Sequence, residues 1–294
     1  MTEPKRATSI PELNERFQNF RTPEGEAQGL AYQPNSTDIF VVTPSKCGTT
    51  WMQQIVHGLR TRGSMDFDEI TRVVPWIEMA HDMGIDIHQP QVANPRAFKT
   101  HKHLDEVPKG GKYISVLRDP QDAMLSLYRF FEGWVIERDA IPLKDFALEF
   151  YKDGRKYWEH VKSVWIHRRD ENVLALCYEN IQQNLPGTVE RVADFMEIDL
   201  DDELRDVVIR QSDIHFMRAH NHQFDDHLVR ATRNAVCGIP MDGTTSKVKN
   251  GRVGESKNIV PAEVRAEFNA TWNEEITNSI GVRSYEDLQK ELMM

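Results

Sequence analysis

Cysteine is scarce in this chain: its 294 residues include three, Cys47, Cys177 and Cys237, with neither paired spacing nor a metal-ligand pattern. That excludes a disulfide scaffold and fits a reducing compartment. Long hydrophobic runs are missing too. No apolar stretch approaches the roughly 20 residues needed to span a bilayer, and the opening MTEPKRATSIPEL lacks a hydrophobic signal core, so the expectation is a cytoplasmic protein with no membrane span. Positive charge is in deficit: 36 Lys and Arg against 46 Asp and Glu leave a formal net charge of -10. A basic surface is the electrostatic footprint of nucleic-acid binding, and its lack disfavours a nucleic-acid partner. Any nucleotide site must then gather its cations locally, from Lys46, Lys99, Arg118, Lys249, Arg252 and Lys257.

With 39% hydrophobic and 28% charged residues, the chain has the composition of a soluble protein and the length for one large α/β domain over 1–294. The stretch that organises it runs from Asp38 to Arg60, DIFVVTPSKCGTTWMQQIVHGLR. Ile39 to Val42 form a β-branched and aromatic run without alternation, which suits a central strand covered on both faces. Met52, Ile55, Val56 and Leu59 then recur at helical spacing. Strand, tight loop and helix N-terminus make an anion site: first-turn N–H groups, the positive end of the helix dipole, the Thr49 and Thr50 hydroxyls and the Lys46 ammonium converge on one phosphate-like group. A nucleoside triphosphate loop places its lysine after the second glycine. Here Lys46 precedes Gly48, which argues against a magnesium-dependent kinase, as does the lack of an acidic magnesium ligand after a later strand.

Further strands are predicted at Ala97–His101, Lys112–Leu117 and Asn172–Tyr178, with helical patterns before the first, after the second and after the third. Such alternation predicts a parallel sheet flanked by helices, with ligands beyond the carboxyl ends of the strands. Lys46, Arg118 and Tyr178 all fall at those ends. In a strand Lys99 and His101 share a face. The ammonium disfavours a protonated imidazole, so His101 is expected neutral and able to accept a proton. Asp119 reads as an N-cap with Pro120 the first helical residue. Ser126, eight residues after Arg118, lies about 80° around that helix and roughly 12 Å along it, within reach of a phosphate shared with the guanidinium.

Residues 1–37 read as an arm over the domain edge, with a short helical stretch around Leu13, Phe17 and Phe20. Arg72 to Ile87 is rich in large apolar groups that serve either the core or an acceptor-pocket wall. Trp76, Ile77, Phe130 and Trp134 are the pocket candidates. Ala219–Ser256 turns polar and glycine-containing, which predicts a long loop or lid. Its His220, His222, Asp225, Asp226 and His227 fit no metal spacing and read as a solvated polar loop.

Thr43-Pro44-Ser45-Lys46-Cys47-Gly48-Thr49-Thr50-Trp51 resembles the 5'-phosphosulfate loop of cytosolic-type sulfotransferases, LRDPQDAMLSLYRF their 3'-phosphate motif, and KTH at Lys99–His101 their catalytic strand. The resemblance runs from about Thr43 to Lys257. It implies 3'-phosphoadenosine 5'-phosphosulfate as donor, no metal, and a small-molecule hydroxyl or amine acceptor. The implied catalytic set is His101 as general base with Lys99, Lys46 and Ser126. The implied nucleotide contacts are Lys46, Cys47, Gly48, Thr49, Thr50, Trp51, Arg118, Ser126, Tyr178, Ser212, Lys249, Asn250 and Gly251. The lid departs from the family: Lys249-Asn250-Gly251 and Gly254-Glu255-Ser256-Lys257 stand for its RKG and GDWK, Ile214 for an adenine-stacking aromatic, and Cys47 for a loop serine. Those changes leave open a weakly active or inactive adenosine-bisphosphate-binding protein of the same fold. The family's dimerisation motif is not legible, so monomer and homodimer both stay open.

Overall fold

The computed structural model describes residues 4–243, 247–248 and 251–293. Four parallel strands form the centre: β1 (Ile39–Val42), β2 (Ala97–Thr100), β3 (Lys112–Leu117) and β4 (Val173–Cys177), in the spatial order β2-β1-β3-β4. Every β1 residue is buried, as its unalternating run of apolar side chains requires. Alternate side chains feed two cores, one per face. Phe40, Val42, Phe98 and Tyr113 enter one, while Ile39, Val41, Ala97 and Ile114 enter the other.

In chain order the helices used below are α1 (Ile10–Gln18), α2 (Pro23–Leu30), α3 (Thr49–Thr61), α4 (Pro120–Phe131), α5 (Lys156–His167), α6 (Tyr178–Gln183), α7 (Leu185–Phe195), α8 (Asp202–Ser212), α9 (Ile214–Ala219), α10 (His227–Arg233) and α11 (Ala262–Trp272). Asp119 caps α4, its carboxylate accepting from the Gln121 and Asp122 amides, with Pro120 in the first turn. The chain leaves β1 towards β2 on one side and returns past it to β3 on the other. The reversal puts a crevice beyond the carboxyl ends of β1 and β3, where such sheets bind ligands.

Two sequence expectations change. The N-terminal arm is more than an edge covering: Ala7 and Leu13 are fully buried, and α2 packs so closely on the segment after Pro75 that a Cβ at Gly29 would lie 2.2 Å from the Ile77 carbonyl oxygen. The long polar loop at 219–256 is partly helical, containing a 3-10 turn at Asn221–Phe224, α10 and a short turn at Ser256–Ile259. Phe224, Leu228 and Val229 explain this, since each buries its side chain in the core despite polar neighbours. No helix among the described residues is long and apolar enough to cross a membrane.

Candidate active site

The loop between β1 and α3 is shaped by two left-handed residues, Lys46 (φ +66°) and Gly48 (φ +97°). Gly48 is dictated twice over: its φ is unfavourable for any side chain, and a Cβ there would meet the Tyr178 ring at 3.0 Å. Gly48 caps α3 without a side-chain hydrogen bond, so the first-turn amides of this 13-residue helix remain open to an anion. The Thr49 hydroxyl is tied to that of Thr43 at 2.5 Å, while Thr49 and Thr50 both line the crevice. Lys46 Nζ stands 3.9 Å from the centroid of the Phe130 ring. Cys47 departs from expectation. Its side chain is fully buried in the core, its amide donates to the Pro44 carbonyl (3.3 Å), and burial pushes its thiol pKa upward, which makes it an inert packing residue.

Beyond β2, the segment after Pro75 runs alongside the strand, and the Lys99 amide donates to the Pro75 carbonyl at 2.8 Å. Trp76 is thereby placed 4.4 Å from Lys99 Nζ and edge-on to the His101 ring, with centroids 5.0 Å apart. His101 Nδ1 lies 2.8 Å from the Thr43 carbonyl oxygen, an acceptor only, so Nδ1 carries the proton and Nε2 is left as the basic nitrogen. Its backbone amide is held by Glu78 (2.9 Å), and its carbonyl accepts from His160 Nε2 (2.9 Å). Burial, then the Lys99 ammonium, hold the imidazole pKa well below its ordinary value. Lys99 is itself lowered to about 8, first by burial and then by Lys247. A neutral imidazole thus stands beside an ammonium.

Arg118 leaves the end of β3 and reaches across the loop. Its guanidinium donates to the Lys46 carbonyl (3.3 Å) and the Arg252 carbonyl (3.2 Å), and stacks 4.3 Å from the centroid of Tyr178. Trp51 meets Tyr178 edge-on at 5.3 Å, and its indole N–H donates to the Ser212 carbonyl at 2.8 Å. Two buried polar atoms here, Arg118 Nε and Ser212 Oγ, have no hydrogen-bond partner among the described residues. Gly251 closes this end: its carbonyl accepts from Gln182, and Tyr178 Oη and the Ile214 side chain sit within 4 Å of a Cβ built on it. Asp122 pins the following turn by accepting from the Gly254 (2.6 Å) and Ser256 (2.9 Å) amides.

One cavity of about 400 Å³ is lined by Lys46, Gly48, Thr49, Thr50, Trp51, Trp76, Lys99, His101, Arg118, Ser126, Phe130, Trp134, Tyr178, Ser212 and Gly251. Ile77 is not among them. It is fully buried under α2: Trp76 is extended beside Lys99 and the 3-10 turn begins at Ile77, so the two side chains leave the chain in different directions. Arg252 and Lys257 are exposed and also lie outside the lining, while Lys249 and Asn250 fall outside the described residues. Several lining residues were not anticipated: Phe17 and Phe20 from the N-terminal arm, Gln182 one turn beyond Tyr178, and Asp226 and Lys247 from the lid. Gln182 alone had a local signal, its i+4 spacing from Tyr178.

Residues 36–281 match the sulfotransferase domain. The chain belongs to the sulfotransferase family. It is 28% identical to sulfotransferase 1B1 of Canis lupus familiaris over 82% of this chain and 84% of that one, and 25% identical to the amine sulfotransferase of Oryctolagus cuniculus over 83% and 82%. Among solved structures it is similar to mouse sulfotransferase SULT7A1 complexed with PAP, with a TM-score of 0.67, 20% identity and 93% of each chain covered. At that identity the likeness shows the fold. The sulfotransferase fold thus accounts for the parallel sheet, and this chain's own side chains account for the cavity.

Proposed function

We propose that this sulfotransferase moves a sulfuryl group from 3'-phosphoadenosine 5'-phosphosulfate to a hydroxyl or amine of a small hydrophobic acceptor, with His101 as general base. The observation that carries the reading is the convergence of Lys46, Lys99, His101, Arg118 and Ser126 on one cavity at the carboxyl ends of β1, β2 and β3. The residues suit the donor. The α3 N-terminus and Lys46 match a phosphosulfate, Arg118 with Ser126 a second phosphate, and the Trp51–Tyr178 pair with the unpartnered Ser212 Oγ a purine.

The donor supplies the electrophilic sulfuryl group. His101 Nε2 takes the proton of the acceptor while Nδ1 stays bonded to Thr43, which keeps the ring in the tautomer that can accept it. Glu78 and His160 hold the His101 backbone on either side and so fix the ring's direction. Lys99 and Lys46 place positive charge where negative charge develops, at no reorganisation cost during reaction. Trp76, Phe130 and Trp134 exclude water and hold the acceptor. Three buried free thiols agree with a cytoplasmic setting.

The test pairs calorimetry of adenosine 3',5'-bisphosphate with a labelled-sulfate transfer assay over phenols, steroids, aliphatic alcohols and amines. Nucleotide binding with turnover of at least one class is expected. Binding without turnover across the panel would leave only a nucleotide-binding protein.

A further inference from the structure

The acceptor side of the cavity holds an ion pair that catalysis does not use. Asp226, in a left-handed conformation (φ +61°) at the start of α10, is 6% exposed, and its Oδ1 meets Nζ of Lys247, whose side chain is 9% exposed. Both residues line the same cavity as His101, Lys99, Trp76 and Trp134. Asp226 Oδ1 and Lys247 Nζ have each other, and among the described residues no further hydrogen bond reaches either atom. A buried ion pair seldom improves on apolar packing, because desolvation cancels much of the attraction. Placing one in an aromatic pocket therefore calls for a ligand that uses it.

We infer that Asp226 and Lys247 select acceptors carrying a second, uncharged hydroxyl, which donates to the Asp226 carboxylate and accepts from the Lys247 ammonium. This rests on the sulfuryl-transfer reading of the same cavity and narrows its acceptor. The charges present decide between ligand classes. Lys46 and Lys99 are committed to the phosphosulfate, so the balance facing the acceptor is one carboxylate against one ammonium. Burial would raise the Asp226 pKa, but Lys247 and then Lys99 outweigh it and hold it below the ordinary carboxylate value, so the group stays ionised. An ammonium on the acceptor would gain Asp226 yet face Lys247. A carboxylate would gain Lys247 yet face Asp226 and the anionic donor. A hydroxyl satisfies both partners without adding charge.

The experiment compares 4-(ω-hydroxyalkyl)phenols with 4-alkylphenols of matched length. Transfer is read as kcat/KM, and binding as quenching of tryptophan fluorescence in the presence of adenosine 3',5'-bisphosphate. The wild-type protein should favour the hydroxyalkyl member by about tenfold or more in both readouts at the best chain length, the scale of one hydrogen bond to a charged group. In Asp226→Asn/Lys247→Met, which removes both charges together, the ratio should fall to about one. Asp226→Asn alone, nearly isosteric, should lower it partway and serves if the double variant does not fold. A wild-type ratio near one, or a preference for aminoalkyl or carboxyalkyl analogues, overturns the assignment, as does a ratio that survives in the variants. Absence of both nucleotide binding and transfer to any phenol would instead overturn the underlying sulfuryl-transfer reading, and this inference with it.

Discussion

Replacing His101 with alanine is the most direct way to test the chemistry. The structure gives the imidazole three properties: an Nδ1–H fixed on Thr43 at 2.8 Å, an Nε2 left basic, and a pKa held well below the ordinary value by burial and then by Lys99. Removing a positioned general base typically costs ~10²- to 10⁴-fold in rate, which corresponds to about 3–5 kcal/mol of transition-state stabilisation. His101→Ala should therefore lower kcat on that scale, while adenosine 3',5'-bisphosphate still binds, since the proposed nucleotide contacts lie on the loop after β1, α3, the end of β3, α4 and α6 and do not include His101. The depressed pKa adds a second signature. A histidine titrating near its usual value of about 6.5 would be only about one-quarter neutral at pH 6. His101 should instead remain neutral there, so its ring resonances in ¹⁵N-labelled free protein should show the Nδ1–H tautomer unchanged between about pH 7.5 and 5.5. Rates come from labelled-sulfate transfer. Undiminished turnover in His101→Ala, or a titration of its ring close to pH 6.5, would refute the reasoning.

Gly48→Ala should weaken adenosine 3',5'-bisphosphate binding by about tenfold or more by calorimetry, with far-ultraviolet circular dichroism unchanged. Its φ of +97° and the 3.0 Å approach to Tyr178 force the loop to shift, at a cost of roughly 1–2 kcal/mol; unaltered affinity would detach this loop from the nucleotide. Acid should destabilise the fold well before the carboxylates titrate. His57 is lowered to about 3 by burial and then Arg60, His160 to about 4 by burial, and His101 also lies well below its usual value. Unfolded histidines bind protons below about pH 6.5 and these three do not when folded, so stability is fully present above that pH and is lost as pH falls. Asp119, raised to about 6 by burial, works the other way by one proton. The net of about two protons gives a loss of about 3 kcal/mol per pH unit near pH 5, measurable by urea unfolding at pH 7, 6 and 5. A flat dependence over that range would show that the histidines are solvated.

What could be read without coordinates follows from the range of each interaction. The four strands announce themselves because a parallel sheet covered on both faces favours apolar runs: IFVV and VLALC are unbroken, while AFKT and KYISVL remain short β-like runs despite their Lys, Thr and Ser. Lys46 and Arg118 were traceable to one crevice for a related reason: parallel strands all present their carboxyl ends on the same side, so residues 72 positions apart converge without any knowledge of side-chain packing. Local pattern failed where a one-residue step decides the face. Trp76 and Ile77 are both large and apolar, and only the approach of Gly29 to the Ile77 carbonyl turns Ile77 inward and leaves Trp76 over Lys99. Cys47 failed similarly, since a thiol in a polar loop gives no hint that the chain turns it into the core. The lid was hardest because its helical stripe is short: Leu228 and Val229 are adjacent apolar residues among Asp, His and Arg, too few for a period to emerge. That same polar surrounding concealed Asp226 and Lys247, whose 21-residue separation acquires meaning only once α10 packs against the core and turns the carboxylate into the cavity. Sequence pattern thus located the part of the cavity built at the ends of the strands, together with Trp76, Phe130 and Trp134, and missed Asp226 and Lys247, which only long-range packing brings there.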